Sequence, residues 1–480
     1  MLGEHVSNFK KFFSLEQQPE CLVGLVYERI DAAFSDFGPL LLSKYIEKGH
    51  VKLGRERSRV HLFQEYGHYR AYSGFITVQI GESKANLFFL HVESRNLSMQ
   101  KPLLLWFPEK PGRSSLFSQF GGNGPVGYRL GEEGRWVLFH RQPSLADFSN
   151  IIYIDQSAGC GFSTATSPKA YAKSMEDIVQ GIFLFLEQFL LLFPWYRDRK
   201  FYLGGEAYGA KVAVAAAGAF HQRFHRLKLQ GVIAGAGLLG PLLQLADSSE
   251  YLYQVGMLNR RGKLQFQQRF AEVRRLKKKS KLREAFKLLE KTIFAYTFSG
   301  LPTLFQDLTG YKDYDSVAQS EEPEIFKVLN QFFHADKFKR AIHVGIDAFF
   351  QQYYYDVSVN LIPDYFVDSS QTFVEVLDRY EVLAYSGQFD VTFPVANMQK
   401  FYEGLKWKGT EDYANAERNQ WRKKIQGNDF LLGYITKAKG FTEAVLRRTG
   451  HRVSYDSSYL VAKLIEIFMN ANVTDPNDYL

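Results

Sequence analysis

The stretch Arg199-Lys-Phe-Tyr-Leu-Gly-Gly-Glu-Ala-Tyr-Gly209 sends an apolar strand into a glycine-bracketed corner and then into a helix of small residues. Glycine lets a backbone turn sharply and lets neighbouring chain approach closely, so the residue at the corner is lifted above a sheet. Two other residues suit such a corner. Asp390 follows a strand-like run at 381–385, and His451 follows another at 441–447. A hydroxyl at the apex, an imidazole to take its proton and a carboxylate to orient the imidazole together make the apparatus of nucleophilic acyl transfer. The apex residue here is Ala207, and a methyl group cannot attack a carbonyl.

Other groups could supply a nucleophile. Cys160 lies in the turn Gly159-Cys-Gly161, and a thiolate reacts well when a neighbouring base lowers its pKa. It is off the corner, however, and reads as a small buried residue. Ser114 and Ser115 are hydroxyls in sequence, again away from the corner. A histidine and an aspartate can also stay together for structural reasons, because a buried hydrogen-bonded pair is costly to break singly.

These residues need a scaffold. The chain has 480 residues, 46% of them hydrophobic and 16% aromatic, enough for a large core and far from a disordered composition. A net charge of +8 is modest for this length and does not imply nucleic acid. Two cysteines, Cys21 and Cys160, exclude a disulfide-stapled scaffold. No stretch is long and apolar enough to span a bilayer. Strands are predicted at 72–80, 86–93, 102–107, 150–155, 199–205, 229–234, 381–385 and 441–447, with helices at 175–193, 210–224 and 459–469. Alternation of this kind predicts an α/β fold, a mostly parallel central sheet with helices on both faces. Residues 1–39 read as a helical N-terminal extension. Residues 40–237 and 346–480 read as the core, and 238–345 as a helical cap insertion. A basic run from Arg274 to Arg283 continues into Glu284, Lys287, Glu290 and Lys291 on one expected helix, read as a solvated face.

At this point a family resemblance is specific. Gly205-Glu-Ala-Tyr-Gly-Ala210 resembles the Gly-Glu-Ser-Tyr-Ala-Gly of serine carboxypeptidases. Trp106-Phe-Pro-Glu-Lys-Pro-Gly-Arg-Ser-Ser115 is similar to their Trp-Leu-Asn-Gly-Gly-Pro-Gly-Cys-Ser-Ser. Ser386-Gly-Gln-Phe-Asp390 and Thr449-Gly-His-Arg-Val-Ser-Tyr-Asp456 resemble the segments that carry the acid and the base. Lys44 to Arg55, Tyr72 to Val78 and Tyr251 to Met257 are similar to the vitellogenic-like branch. The resemblance implies an α/β-hydrolase fold in which Ala207, Asp390 and His451 hold the triad positions. It implies oxyanion donors at the backbone of Lys110 and of Tyr208, where the family has Gly-Gly at 109–110. It implies that a substrate-carboxylate clamp aligns with Pro108, Glu206 and Gly122, of which Glu206 alone keeps its type. The Tyr208 N–H is expected to remain able to serve.

The resulting expectation is a catalytically inactive relative, a pseudoenzyme acting as a binding or structural component of a larger assembly. The alternatives are a residual hydrolase of the same family and a protein that keeps its pocket for peptides or small ligands. No metal or other cofactor is expected. A protein partner would dock through residues 1–37 or the basic cap helix, with no nucleic acid and with a homodimer left open. The absence of a leader, with so few cysteines, points to the cytoplasm. An incomplete start would return the chain to a secreted or lysosomal route.

Overall fold

The computed structural model describes residues 38–470 except 96–97, 295–301, 352–353 and 426–427. The expected extension at 1–39 therefore lies almost wholly outside the described residues.

The strands are β1 (Ala71–Ile80), β2 (Ser83–Val92), β3 (Leu103–Phe107), β4 (Val126–Leu130), β5 (Trp136–His140), β6 (Asn150–Ile154), β7 (Thr164–Ala165), β8 (Lys200–Glu206), β9 (Lys228–Gly235), β10 (Glu381–Gly387), β11 (Arg418–Ile425), β12 (Asn428–Ala438) and β13 (Phe441–Leu446). Helices of eight residues or more are α1 (Met175–Leu192), α2 (Tyr208–Arg223), α3 (Arg260–Lys278), α4 (Leu282–Leu289), α5 (Glu324–His334), α6 (Ser370–Leu377), α7 (Val395–Glu403) and α8 (Ser458–Met469).

One large sheet runs in the order β1-β2-β6-β3-β8-β9-β10-β13-β12-β11, with β7 beside β2. Its centre, from β6 to β13, is parallel, and both wings are antiparallel. The sheet is thus mixed. The central strands read as continuous apolar runs because both of their faces are covered. In β3, Leu103, Leu105 and Phe107 enter one core cluster while Leu104 and Trp106 enter the other. Each such fully buried side chain contributes on the order of 1.5–3 kcal/mol. Helix α1 starts at Ser174, whose hydroxyl accepts from the Asp177 N–H while Asp177 accepts from the Ser174 N–H, a reciprocal cap.

Between β9 and β10 the chain leaves the sheet as a series of helices that continues to α6 at Leu377, beyond the boundary expected at 345. The basic run is two helices rather than one. Ser280 takes a left-handed φ of 58° between α3 and α4, so the turn separates Arg274–Lys278 from Glu284 and Lys287. The hairpins β4–β5 and β11–β12 were not expected from the sequence.

Candidate functional site

The corner is built by close packing. Strand β8 ends at Glu206 and α2 begins at Tyr208, leaving Ala207 alone in the bend at φ 52° and ψ −114°. A non-glycine residue held there costs about 1–3 kcal/mol, and its surroundings hold it. A side chain at Gly205 would lie 2.6 Å from the Gly209 carbonyl carbon, and one at Gly209 would lie 2.6 Å from the Pro108 oxygen. Those crossings leave room for glycine only. Ala207 N–H donates to the Gly235 carbonyl at 2.9 Å, and the Ala207 carbonyl accepts from Leu238 N–H at 3.1 Å. The side chain presented at the bend is a methyl group.

The turns after β10 and β13 bring Asp390 and His451 together. His451 Nδ1 lies 2.9 Å from Asp390 Oδ2, and Phe393 N–H donates to Asp390 Oδ1 at 2.9 Å. Both residues are buried. Burial works against the His451 imidazolium, but the facing Asp390 charge and hydrogen bond outweigh it and the pKa is raised. Burial raises the Asp390 pKa, with His451 pulling the other way.

A backbone bond beside the corner engages one of the expected oxyanion donors. Tyr208 N–H donates to the Glu109 carbonyl at 3.0 Å. The expectation that this N–H remains able to serve is corrected here: its hydrogen is already committed. The Glu109 C=O and the Lys110 N–H belong to one planar trans peptide and point in opposite directions. With that oxygen delivered to Tyr208, the Lys110 N–H runs in the opposite direction.

Side chains crowd the space beside His451. Lys110 Nζ donates to Tyr314 Oη at 3.2 Å and lies over its ring. Burial lowers its pKa, with Asp315 opposing. Lys110, Leu242, Phe286, Phe294, Tyr314, Tyr365, Thr392 and His451 line a cavity of only about 40 Å³. Ligand pockets usually hold about 300–1,000 Å³, so this one has room for a few waters.

Glu206 is committed to the fold. Its Oε1 accepts from Tyr385 Oη at 2.7 Å, Ser454 N–H at 3.0 Å and Ser454 Oγ at 2.6 Å. Burial, helped by the Glu109 charge, pushes its pKa up to about 7. A side chain at Gly122 would meet Ser454 Cβ at 3.1 Å, so Ser454 fills the room beside that glycine. Pro108 contributes the carbonyl that crosses Gly209.

The other candidate nucleophiles are occupied. Cys160 Sγ accepts from Gly112 N–H at 3.1 Å, and burial, then the Asp155 charge, push its thiol up to about 12. Ser114 Oγ and Ser115 Oγ both donate to Asp155 Oδ1, at 2.7 and 3.0 Å.

Sequence reasoning missed one constellation next to His451. Arg452 pairs with Asp313 at 2.8 Å and Asp315 at 2.7 Å, and the Asp315 carbonyl accepts His451 N–H at 2.8 Å. These ties fasten the segment before α5 to the turn after β13. An arginine following a histidine gave no signal for carboxylates so far away in sequence. Among the described residues no group of His, Cys, Asp and Glu is arranged to hold a metal ion. Nor is any described helix long and apolar enough to cross a membrane.

Comparison with known proteins bears on this geometry. Residues 63–471 match the model of the serine carboxypeptidase peptidase family. The chain is 30% identical over 447 residues, 91% of each chain, to the human protein named "Probable serine carboxypeptidase CPVL". It is 29% identical over 438 residues, 90% of each, to the vitellogenic carboxypeptidase of Aedes aegypti. Among solved structures it resembles Kex1, a prohormone-processing carboxypeptidase from Saccharomyces cerevisiae. That match has a TM-score of 0.73 at 18% identity, covering 87% of this chain and 96% of that one. It supports the α/β-hydrolase fold, with the mixed sheet covered by helices on both faces.

Proposed function

Since the chain belongs to the serine carboxypeptidase family, we propose that it is a catalytically inactive member that acts by binding, as a component of a larger assembly. The observation that carries this reading is the 109–110 peptide, which delivers a carbonyl oxygen to Tyr208 N–H beside a corner whose side chain is the Ala207 methyl. An acyl-transfer site needs donors aimed at the developing oxyanion. This corner offers an acceptor where a donor is required and no atom to attack with. Loss of a triad nucleophile costs about a millionfold in turnover. In this reading Ala207, Asp390, His451, Lys110 and Tyr208 are degenerate catalytic positions, and Glu206 is a substrate-binding remnant now held by Tyr385 and Ser454.

The Asp390–His451 pair favours a second reading, a residual hydrolase, because the base and its orienting carboxylate keep hydrogen-bonding geometry. Incubation with a blocked dipeptide ending in an apolar residue separates the two. Release of the terminal amino acid no faster than by an Asp390→Ala control supports inactivity, and faster release overturns it. A partner protein would dock through residues 1–37 or the basic cap surface. Capture by the intact chain, compared with a chain lacking 1–37, distinguishes those routes. Cytoplasmic residence remains part of the proposal, and localisation of the tagged full-length protein tests it.

A further inference from the structure

Much of the positive charge of this chain lies in one stretch of sequence, where Lys263, Arg274, Arg275 and Lys281 are paired with Glu250, Asp247, Glu272 and Glu284. Residues 260–291 carry thirteen Lys and Arg against three Glu, a local charge of +10, whereas the whole chain carries +8, so everything else nets −2. One of those three glutamates, Glu290, is buried, and burial pushes its carboxyl up to about 8.

Helix α3 spans most of this stretch. Gly262, Phe266, Phe270 and Val273 form its buried stripe. The opposite stripe, at alternating spacings of three and four, is Arg261, Leu264, Gln268, Ala271, Arg275 and Lys278, all exposed. Its own residues are cations, an amide and apolar side chains, and the adjoining Glu272 pairs with Arg275 at 2.6 Å. At about 1.5 Å per residue it runs roughly 26 Å. Large apolar side chains lie exposed around its first turn: Tyr253 at 41%, Val255 at 43%, Leu264 at 50% and Leu308 at 37%. Of these, Leu264 lies in the stripe itself, and Tyr253 flanks the helix, with Lys263 Nζ 4.7 Å from its ring centroid.

We propose that this face docks on an anionic phospholipid surface. The α3 cations would lie against the headgroups, and Leu264, exposed among them, would enter the interfacial layer. Clustered exposed cations with an apolar side chain among them suit the negative surface potential of such a membrane. A nucleic-acid groove would call for stacking platforms along the helix, and the outward stripe of α3 holds no aromatic residue. The inference is independent of whether the corner turns over peptide.

The test is sedimentation of the full-length protein with vesicles of phosphatidylcholine alone or with about 30 mol% phosphatidylserine, at low salt and at about 0.5 M salt. Binding to the phosphatidylserine vesicles only, released by salt, is expected. Replacing Arg261, Lys278 and Lys279 with Gln should weaken partitioning on the order of a hundredfold. Leu264→Ser should weaken it by a smaller factor that salt does not change. All four positions are exposed, so an unchanged circular dichroism spectrum and melting temperature are expected of the variants, while the salt arm uses the unaltered protein. Absence of vesicle binding overturns the proposal. So does equal binding to both vesicle types or by the triple-Gln variant, or binding to polyglutamate or duplex DNA but not to vesicles.

Discussion

Putting a hydroxyl back at the corner should not by itself restore turnover. In Ala207→Ser the bend is already formed, and His451 and Asp390 already face each other at 2.9 Å. The missing element is the electrostatic receptor. Tyr208 N–H is bonded to the Glu109 carbonyl at 3.0 Å, and the Lys110 N–H of the same peptide runs opposite to that carbonyl. Losing one oxyanion donor costs about a hundred- to a thousandfold in kcat, or about 2.7–4 kcal/mol. Ala207→Ser should therefore fall at least about a hundredfold below a variant that also carries Glu109→Gly and Lys110→Gly. Two glycines allow the peptide to rotate, and removing the lysine side chain enlarges the cavity it lines. Release of the terminal residue from a blocked dipeptide gives the rate, and labelling by a serine-directed fluorophosphonate reads the nucleophile independently of substrate anchoring. Because a general base must be neutral, and the raised His451 pKa keeps it protonated above its ordinary 6.5, turnover by any revived variant should climb with pH through an apparent pKa above that value. If Ala207→Ser alone comes within about tenfold of the triple variant, the peptide reorients freely and the reasoning from its orientation fails.

Glu206 should make stability pH-dependent. Its folded pKa of about 7 exceeds its ordinary 4.5, so the folded state binds the extra proton and stability declines as pH rises from about 4.5 to 7. Glu206→Gln should remove roughly 3 kcal/mol of that decline, seen as a flatter plot of urea-derived unfolding free energy against pH. Cys160, with its thiol near 12 and its side chain buried, should resist iodoacetamide at neutral pH until the protein is unfolded, as peptide mass spectrometry would show. Asp364 accepts from Tyr208 Oη at 2.8 Å and pairs with Lys211 at 2.9 Å, all three groups being buried. Asp364→Asn should destabilise the fold by about 3–5 kcal/mol, because it strands the lysine charge; a urea midpoint equal to that of the unaltered protein would refute this.

The central strands were legible because burial on both faces leaves a continuous apolar signature, as in Leu103–Phe107 and Asn150–Ile154. The β11–β12 hairpin was not. Arg418-Asn-Gln-Trp-Arg-Lys-Lys in the edge strand is largely solvated, and such a strand has no apolar pattern to show. The break between α3 and α4 was equally hidden, since Ser280 adopts a left-handed backbone with neither glycine nor proline to announce it. At the site, the meeting of Asp390 and His451 could be anticipated because each follows a strand end. The direction of the 109–110 peptide could not, because no residue type states which way a peptide plane faces.

The bend at Ala207 persists without a hydroxyl to display, held by glycine crossings at 205 and 209 and by backbone bonds to Gly235 and Leu238. Its geometry is thus inherited from how strand and helix cross, and architecture alone preserves it. A sharply bent apex in a distant relative is consequently no testimony that the relative hydrolyses anything. The informative test lies one loop away, in whether the facing peptide offers hydrogen or oxygen.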